Sequence, residues 1–226
     1  MTEYRKLKVV VCGAHPDDPE TGCGGTMALY SKLGHEVVAL YLTRGERGIS
    51  GKTESEAAEI RTKEAVEACK ILNARPVFVG QIDGKCEIND DRYDEFLRVI
   101  EAETPDIVFT HWPIDSHPDH RICSNLAYDS WLKLGKKFAL YYYEVMTGTQ
   151  SQNYHPTDYV EITSTVDDKH SASFVHISQG IESLYAETHG RMEEFRGMEY
   201  GCKFAEAYVK HAQSSTIVLP SQGRGV

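Results

Sequence analysis

Short, unbroken apolar runs alternate with amphipathic stretches from residue 6 to about 145, and no other feature of the chain constrains its fold as much. Residues 6–14 (KLKVVVCGA), 36–43 (EVVALYLT), 76–80 (PVFVG), 106–112 (DIVFTHW) and 138–145 (FALYYYEV) are the runs. Strands buried on both faces read as continuous apolar segments of this kind rather than as alternating ones. Residues 22–34, 54–73, 91–103 and 121–134 between them have helical spacing, and Pro105 stops the third. The pattern predicts an α/β, Rossmann-like, mainly parallel sheet with helices on both faces. A short strand over 159–162, two helical stretches over 165–179 and 183–211, and an extended or frayed tail are expected beyond it. The organisation expected is one domain over 1–226, with its core in 6–145, C-terminal segments in 146–212 and the tail in 213–226.

Composition narrows the function classes. A chain of 226 residues with 41% hydrophobic and 26% charged residues can bury one sizeable core. The net charge of −10, from 34 acidic against 24 basic residues, argues against a general nucleic-acid surface. No apolar signal region opens the chain, and no run approaches the roughly 18 apolar residues of a membrane span. The six cysteines are scattered without a CxxC pair and read as reduced thiols of a cytoplasmic protein.

In parallel sheets, ligands sit outside the carboxyl ends of the strands. Two chemically costly segments fall there: His15-Pro-Asp-Asp-Pro-Glu20 after the first run and Asp115-Ser-His-Pro-Asp-His120 after the fourth. The first offers His15 with Asp17 and Asp18; the second offers His117 and His120 with Asp119 between them. Either alone could be an acidic turn that caps a helix. Both together, at strand ends of one sheet, point to a metal site, because crowding like charges is otherwise unfavourable. His nitrogen and carboxylate oxygen are ordinary zinc ligands, and a catalytic site holds three protein ligands and leaves one position open. A doubly wound strand order would set the two loops side by side. No GxGxxG fingerprint follows the first run, and the acidic loop would repel a pyrophosphate.

The stretch Ala14-His-Pro-Asp-Asp-Pro-Glu20, with Gly24-Gly25-Thr26 after it, resembles the opening signature of the PIG-L/LmbE-like deacetylases. His111-Trp-Pro-Ile-Asp-Ser-His-Pro-Asp-His-Arg121 resembles their second signature. Segments 42–46, 59–65, 176–179 and 205–208 match in style, so the likeness covers nearly the whole chain. It implies an LmbE-like fold and zinc, or another divalent ion, as cofactor. It further implies His15, Asp18 and His120 as metal ligands, Asp17 as general base, and His117 as the charge-stabilising group steadied by Asp119. The implied partners are a small-molecule substrate, an N-acetylated amino sugar or conjugate, and further copies of the chain in a homo-oligomer. Two departures stand out. Pro19 follows the Asp pair, and positions 114–116 lack the tyrosine that some sugar-thiol deacetylases place there.

Beyond the two loops, Glu46 and Arg47 lie in a Gly-rich loop after the second run. With Arg61 they are the candidate substrate-binding residues, while Arg61 and Glu64 could equally form a surface pair at helical spacing. His176 and Gln179 suit a packed or capping role, and His111 a place behind the second loop. The readings to separate are an N-deacetylase, an amidase on another amide such as a thiol-sugar conjugate, and a nucleotide- or sugar-binding module without turnover. Only the last has no use for Asp17.

Overall fold

The computed structural model describes residues 5–215, 217, 219 and 220. Its elements in chain order are β1 (Lys8–Gly13), α1 (Asp18–Lys32), β2 (Glu36–Thr43), α2 (Glu54–Ile71) and β3 (Arg75–Gln81). There follow α3 (Asp90–Glu103), β4 (Ile107–His111), α4 (Pro118–Lys133), β5 (Ala139–Tyr143), β6 (Asp158–Glu161) and α5 (Val166–Phe174). A 3-10 turn (Ile177–Gln179), α6 (Ile181–Tyr185), α7 (His189–Tyr200) and β7 (Ala205–Lys210) complete the fold. The strands form one sheet in the order β3-β2-β1-β4-β5-β7-β6. The first five are parallel; β7 runs antiparallel to both β5 and β6.

The buried runs explain the two-sided core. Val9 and Val11 of β1 pack with Met27, Ala65, Cys69 and Ala172 beneath α1, α2 and α5. Val10 and Cys12 point the other way, to Phe96, Ile100, Leu126 and Trp131 of α3 and α4. Successive side chains of a strand face opposite sides, so one apolar run feeds both layers. The α2 N-terminus is fixed by a capping box, Thr53 with Glu56. The α3 C-terminus ends on Thr104 at φ 46, directly before Pro105.

Three expectations change. Helix α1 begins at Asp18 rather than residue 22, because Pro19 sits in its first turn, where a missing N–H costs nothing. Its glycines are there for close packing: a Cβ on Gly22 would fall 2.6 Å from Tyr143 Cδ2, and one on Gly25 2.6 Å from Ile162 Cγ2. The stretch 165–179 is not one helix; α5 stops at Phe174 and a 3-10 turn follows. The stretch 183–211 divides into the end of α6, then α7 and a strand. Gly201 at φ 83 terminates α7, and 205–210 then fills the place between β5 and β6. Of the tail, the described part is packed: Tyr141 donates to the Ile217 carbonyl at 3.0 Å, and Leu219 is buried. Residues 1–4, 216, 218 and 221–226 lie outside the described residues, so the expectation of a frayed end is answered only as far as residue 220.

Candidate metal centre

Strand order reverses between β1 and β4, which pair in parallel, so the loops leaving their carboxyl ends are neighbours. His15, Asp17 and Asp18 come from the first of these loops and the start of α1; His117, Asp119 and His120 come from the start of α4. The rings of His15, His117 and His120 gather with centroids 4.7–5.3 Å apart. Ligand atoms of three trios lie within 4.8 Å of one another: His15–His117–His120, Asp18–His111–His120 and His15–Asp83–Asp119.

The trio named from sequence straddles the first two of these. Asp18 lies between its imidazoles, with Oδ2 3.3 Å from His15 Nδ1 and Oδ1 3.4 Å from His120 Nε2. Ligand bonds of 2.0–2.1 Å at tetrahedral angles would put donor atoms ~3.3 Å apart, and each of these two pairs, made through a different oxygen of Asp18, is near that spacing. The remaining nitrogens are held from behind. His120 Nδ1 lies 3.3 Å from Asp115 Oδ1 and 3.1 Å from Gln150 Nε2, while His15 Nε2 lies 3.2 Å from Asp119 Oδ2 and from Asp83 Oδ1. Such outer partners orient imidazole ligands and set their basicity. The donor set and its supports therefore fit a divalent ion. His111, as expected, sits behind: its Nε2 is 3.2 Å from Asp18 Oδ2, accepts the Ala14 N–H at 3.1 Å and meets the Tyr143 hydroxyl at 3.2 Å.

Charge follows geometry. Burial opposes ionisation of Asp18, yet the imidazoles of His120 and His111 hold its carboxyl well below the usual range. Burial likewise pushes His111 down, to about 4, so it is a neutral hydrogen-bond partner. Asp17 differs from its neighbour. Burial raises its carboxyl to about 6, against the pull of Arg61, whose Nη2 lies 3.0 Å from Asp17 Oδ2. The Asp17 backbone has φ 113, a region that costs a non-glycine residue about 1–3 kcal/mol unless its surroundings impose it. Arg61 imposes it by gripping the Pro16 carbonyl at 2.5 Å together with the Asp17 carboxylate. Asp18 sits among the imidazoles, whereas Asp17 is held by Arg61 and lines the same cavity as His117 and His120.

The structure rearranges several assignments. Asp119 does not steady His117 through its carboxylate; Oδ2 accepts the Gly84 N–H at 2.7 Å and faces His15 instead. It is the Asp119 backbone N–H that meets His117, donating to Nδ1 at 3.2 Å. A neutral His117 therefore carries its proton on Nε2. Burial, then the charges of His15 and His120, push this ring below its usual value, against a smaller opposing pull from Asp119. Glu46 is turned inward and accepts the N–H groups of Arg44 and Asp83, so it shapes a loop and does not face the cavity. Arg61 and Glu64 do not pair: Arg61 is buried behind Asp17, and Glu64 accepts from Ser178 N and Oγ. Arg47 does line the cavity, with Asp83 and Gln179. His176 is buried, its Nε2 3.7 Å from Glu20 Oε2.

Sequence reading missed Asp83 and Gln150 and left Asp115 without a role. Asp83 follows β3 at the carboxyl edge of the sheet, where its position alone was a usable signal. Gln150 lies in an irregular loop, and nothing in its neighbours marks it.

Residues 10–131 match the PIG-L family, described as GlcNAc-PI de-N-acetylase. The chain is 27% identical over 209 residues to the 4-oxalmesaconate hydratase of Pseudomonas putida, covering 84% of this chain and 80% of the relative. It is 33% identical over 125 residues to the diacetylchitobiose deacetylase of Thermococcus kodakarensis, covering 52% of this chain and 47% of the relative. The chain thus spans about half the length of that curated deacetylase. Among solved structures, the N,N'-diacetylchitobiose deacetylase of Pyrococcus horikoshii superposes with a TM-score of 0.79 at 25% identity, over 91% of this chain and 84% of that one.

Proposed function

The chain belongs to the PIG-L family, and from that premise we propose that it is a zinc-dependent hydrolase removing the N-acetyl group from a small amino sugar or its conjugate. One observation carries this reading: His15, Asp18 and His120 converge from two loops, while the adjacent carboxylate of Asp17 is kept out of the cluster. A binding module would need no such spare group. His15, Asp18 and His120 would hold a divalent ion, which would supply Lewis acidity towards water and the amide carbonyl near neutral pH.

The chain's own groups then have separate tasks. Asp17 takes the proton of the attacking water, and a carboxyl near 6 suits transfer close to neutral pH. Arg61 fixes the direction of that carboxylate through two contacts. His117 donates Nε2–H to the oxygen on which charge develops, because its Nδ1 is already occupied by the Asp119 N–H. With His117 committed to that oxygen, Asp17 returns its proton to the departing amine. Arg47, Asp83 and Gln179 line a polar branch of about 280 Å³ that suits sugar hydroxyls. The reading includes a cytoplasmic setting, supported by six cysteines scattered without a CxxC pair.

The breadth of the hydratase match favours a second reading, addition of water to an unsaturated carboxylate, for which Arg47 and Arg61 would be the anion partners. Assay of Asp17→Ala tests the first. We expect retained zinc by metal analysis and a fall in N-deacetylation of about 10²–10⁴-fold. Near-normal deacetylation in that variant would refute the general-base role. Hydration of an unsaturated acid without release of acetate from any N-acetyl sugar would select the second reading.

A further inference from the structure

The space beside the histidine cluster continues in two directions with opposite chemistry. The polar branch holds Arg47, Arg61 and Asp83. The other branch, a cavity of about 330 Å³, starts at Asp17, Asp18, His117 and His120 and runs out past Val145, Ile181 and Leu184. No Lys or Arg is among its described lining residues. Leu184 is 61% exposed, and Ile177, seven residues earlier in the 3-10 turn, is 79% exposed. A lone exposed leucine carries no meaning. Here, however, three apolar side chains from two separate segments form the apolar part of the wall of the cavity that contains the candidate reacting groups, beside polar Thr147, Gln150 and Thr188. An acetyl group ends in a single methyl and would leave most of that wall in water.

We infer that the substrate carries an apolar chain close to its scissile amide, and that this chain lies along Val145, Ile181 and Leu184. The inference rests on the hydrolase reading above and narrows its substrate class, from bare N-acetyl sugars to amino-sugar amides with an apolar substituent. The same chemistry can come from a longer N-acyl group or from an alkyl aglycone. An anionic substituent is disfavoured on this side, since it would face Asp17 and Asp18 with no Lys or Arg among the described lining residues.

Two substrate series test the idea with the zinc-loaded protein: N-acyl glucosamines from acetyl to octanoyl, and alkyl N-acetylglucosaminides from methyl to octyl. In one series kcat/KM should rise about two- to fourfold per methylene over the first few carbons. The series that rises identifies the source of the chain. Leu184→Ser and Ile181→Ser should flatten the slope, read as the ratio of long-chain to short-chain kcat/KM within each variant. Calorimetry on metal-stripped protein gives a readout independent of turnover, with octyl glucosaminide expected to bind more tightly than the methyl compound. Flat or falling dependence in both series, with N-acetylglucosamine still hydrolysed, would overturn the inference and leave the hydrolase reading standing. A slope or an octyl preference unchanged in the combined Ile181→Ser, Leu184→Ser variant would overturn the assignment of the wall. No turnover of any amide would reject the hydrolase reading, and this inference would fall with it.

Discussion

Replacing Lys169 by Met should destabilise the fold more than most single changes, and the reason lies in what the ammonium group touches. Lys169 is fully buried in α5, with Nζ 3.0 Å from Glu193 Oε1 in α7 and 2.8 Å from Glu206 Oε1 in β7. Both carboxylates are themselves fully buried. Glu193 also receives the Tyr185 hydroxyl at 2.6 Å, and Glu206 receives the Gly25 and Thr26 N–H groups of α1 at 3.0 and 2.8 Å. Met keeps the stem and removes the one charge of opposite sign that, among the described residues, both carboxylates contact. Breaking a buried pair in this way costs about 3–5 kcal/mol, because a charge is left without compensation. At this chain length 1 kcal/mol corresponds to about 2–4 °C, so Tm should fall by roughly 6–20 °C.

The pH dependence gives the argument a sign. Burial opposes ionisation of Glu193, yet Lys169 brings its carboxyl down to about 2. A depressed carboxyl contributes stability above its unfolded value near 4.3, and loses it as pH falls from there toward about 2. Without Lys169, burial acts unopposed by that cation, so protonation relieves the variant as pH falls from 7.5 toward 5. The Tm gap between wild type and Lys169→Met should therefore narrow over that range. Adding Glu193→Gln to Lys169→Met should restore part of the loss. Calorimetry or circular dichroism melts at pH 7.5, 6 and 5 measure all three effects. A loss below about 1 kcal/mol at pH 7.5, or a gap that widens on acidification, would refute the reasoning.

Three shorter predictions address the centre itself. Chelation should abolish N-deacetylation and lower Tm, with recovery on adding zinc; activity that survives exhaustive chelation, checked by metal analysis, contradicts a required ion. Gly45→Ala should cut activity and cost about 1–3 kcal/mol, since φ is +70 there and the new Cβ would stand 2.6 Å from Arg61 Cδ; an unchanged melt and rate would show that Arg61 has room to move. Asp83→Asn keeps the shape but weakens the charge behind His15 Nε2, so zinc affinity should drop about 10–100-fold in a competition titration, whereas an unchanged affinity would leave Asp83 with the substrate alone.

The parallel half of the fold was legible because each buried run is unbroken, so β1, β2, β4 and β5 fall within a residue or two of the expected segments. That the two polar loops meet was legible for a related reason: residues as costly as His15, Asp18 and His120 at strand ends need partners, and the strand order brings the loops together. What escaped depends on contacts distant in sequence. Residues 205–210 carry Ala and Glu, which suit a helix, and only the vacancy between β5 and β6 makes them a strand. The direction of the Asp119 carboxylate depends on the Gly84 N–H, 35 residues away, which no local pattern reveals. Arg61 looked like a surface charge because its partner, Asp17, lies 44 residues earlier.

Glu206 sets an order for assembly. Its carboxylate secures backbone groups of the helix that begins at Asp18, across a separation of 181 residues to Gly25. On the ribosome, the first loop emerges well before Glu206, so that helix gains this hydrogen-bond acceptor only after about 180 further residues are made. If the proposed ion is held by His15 and Asp18, its binding and the placing of this strand should consequently be coupled events, with damage near Glu206 read out at the first loop.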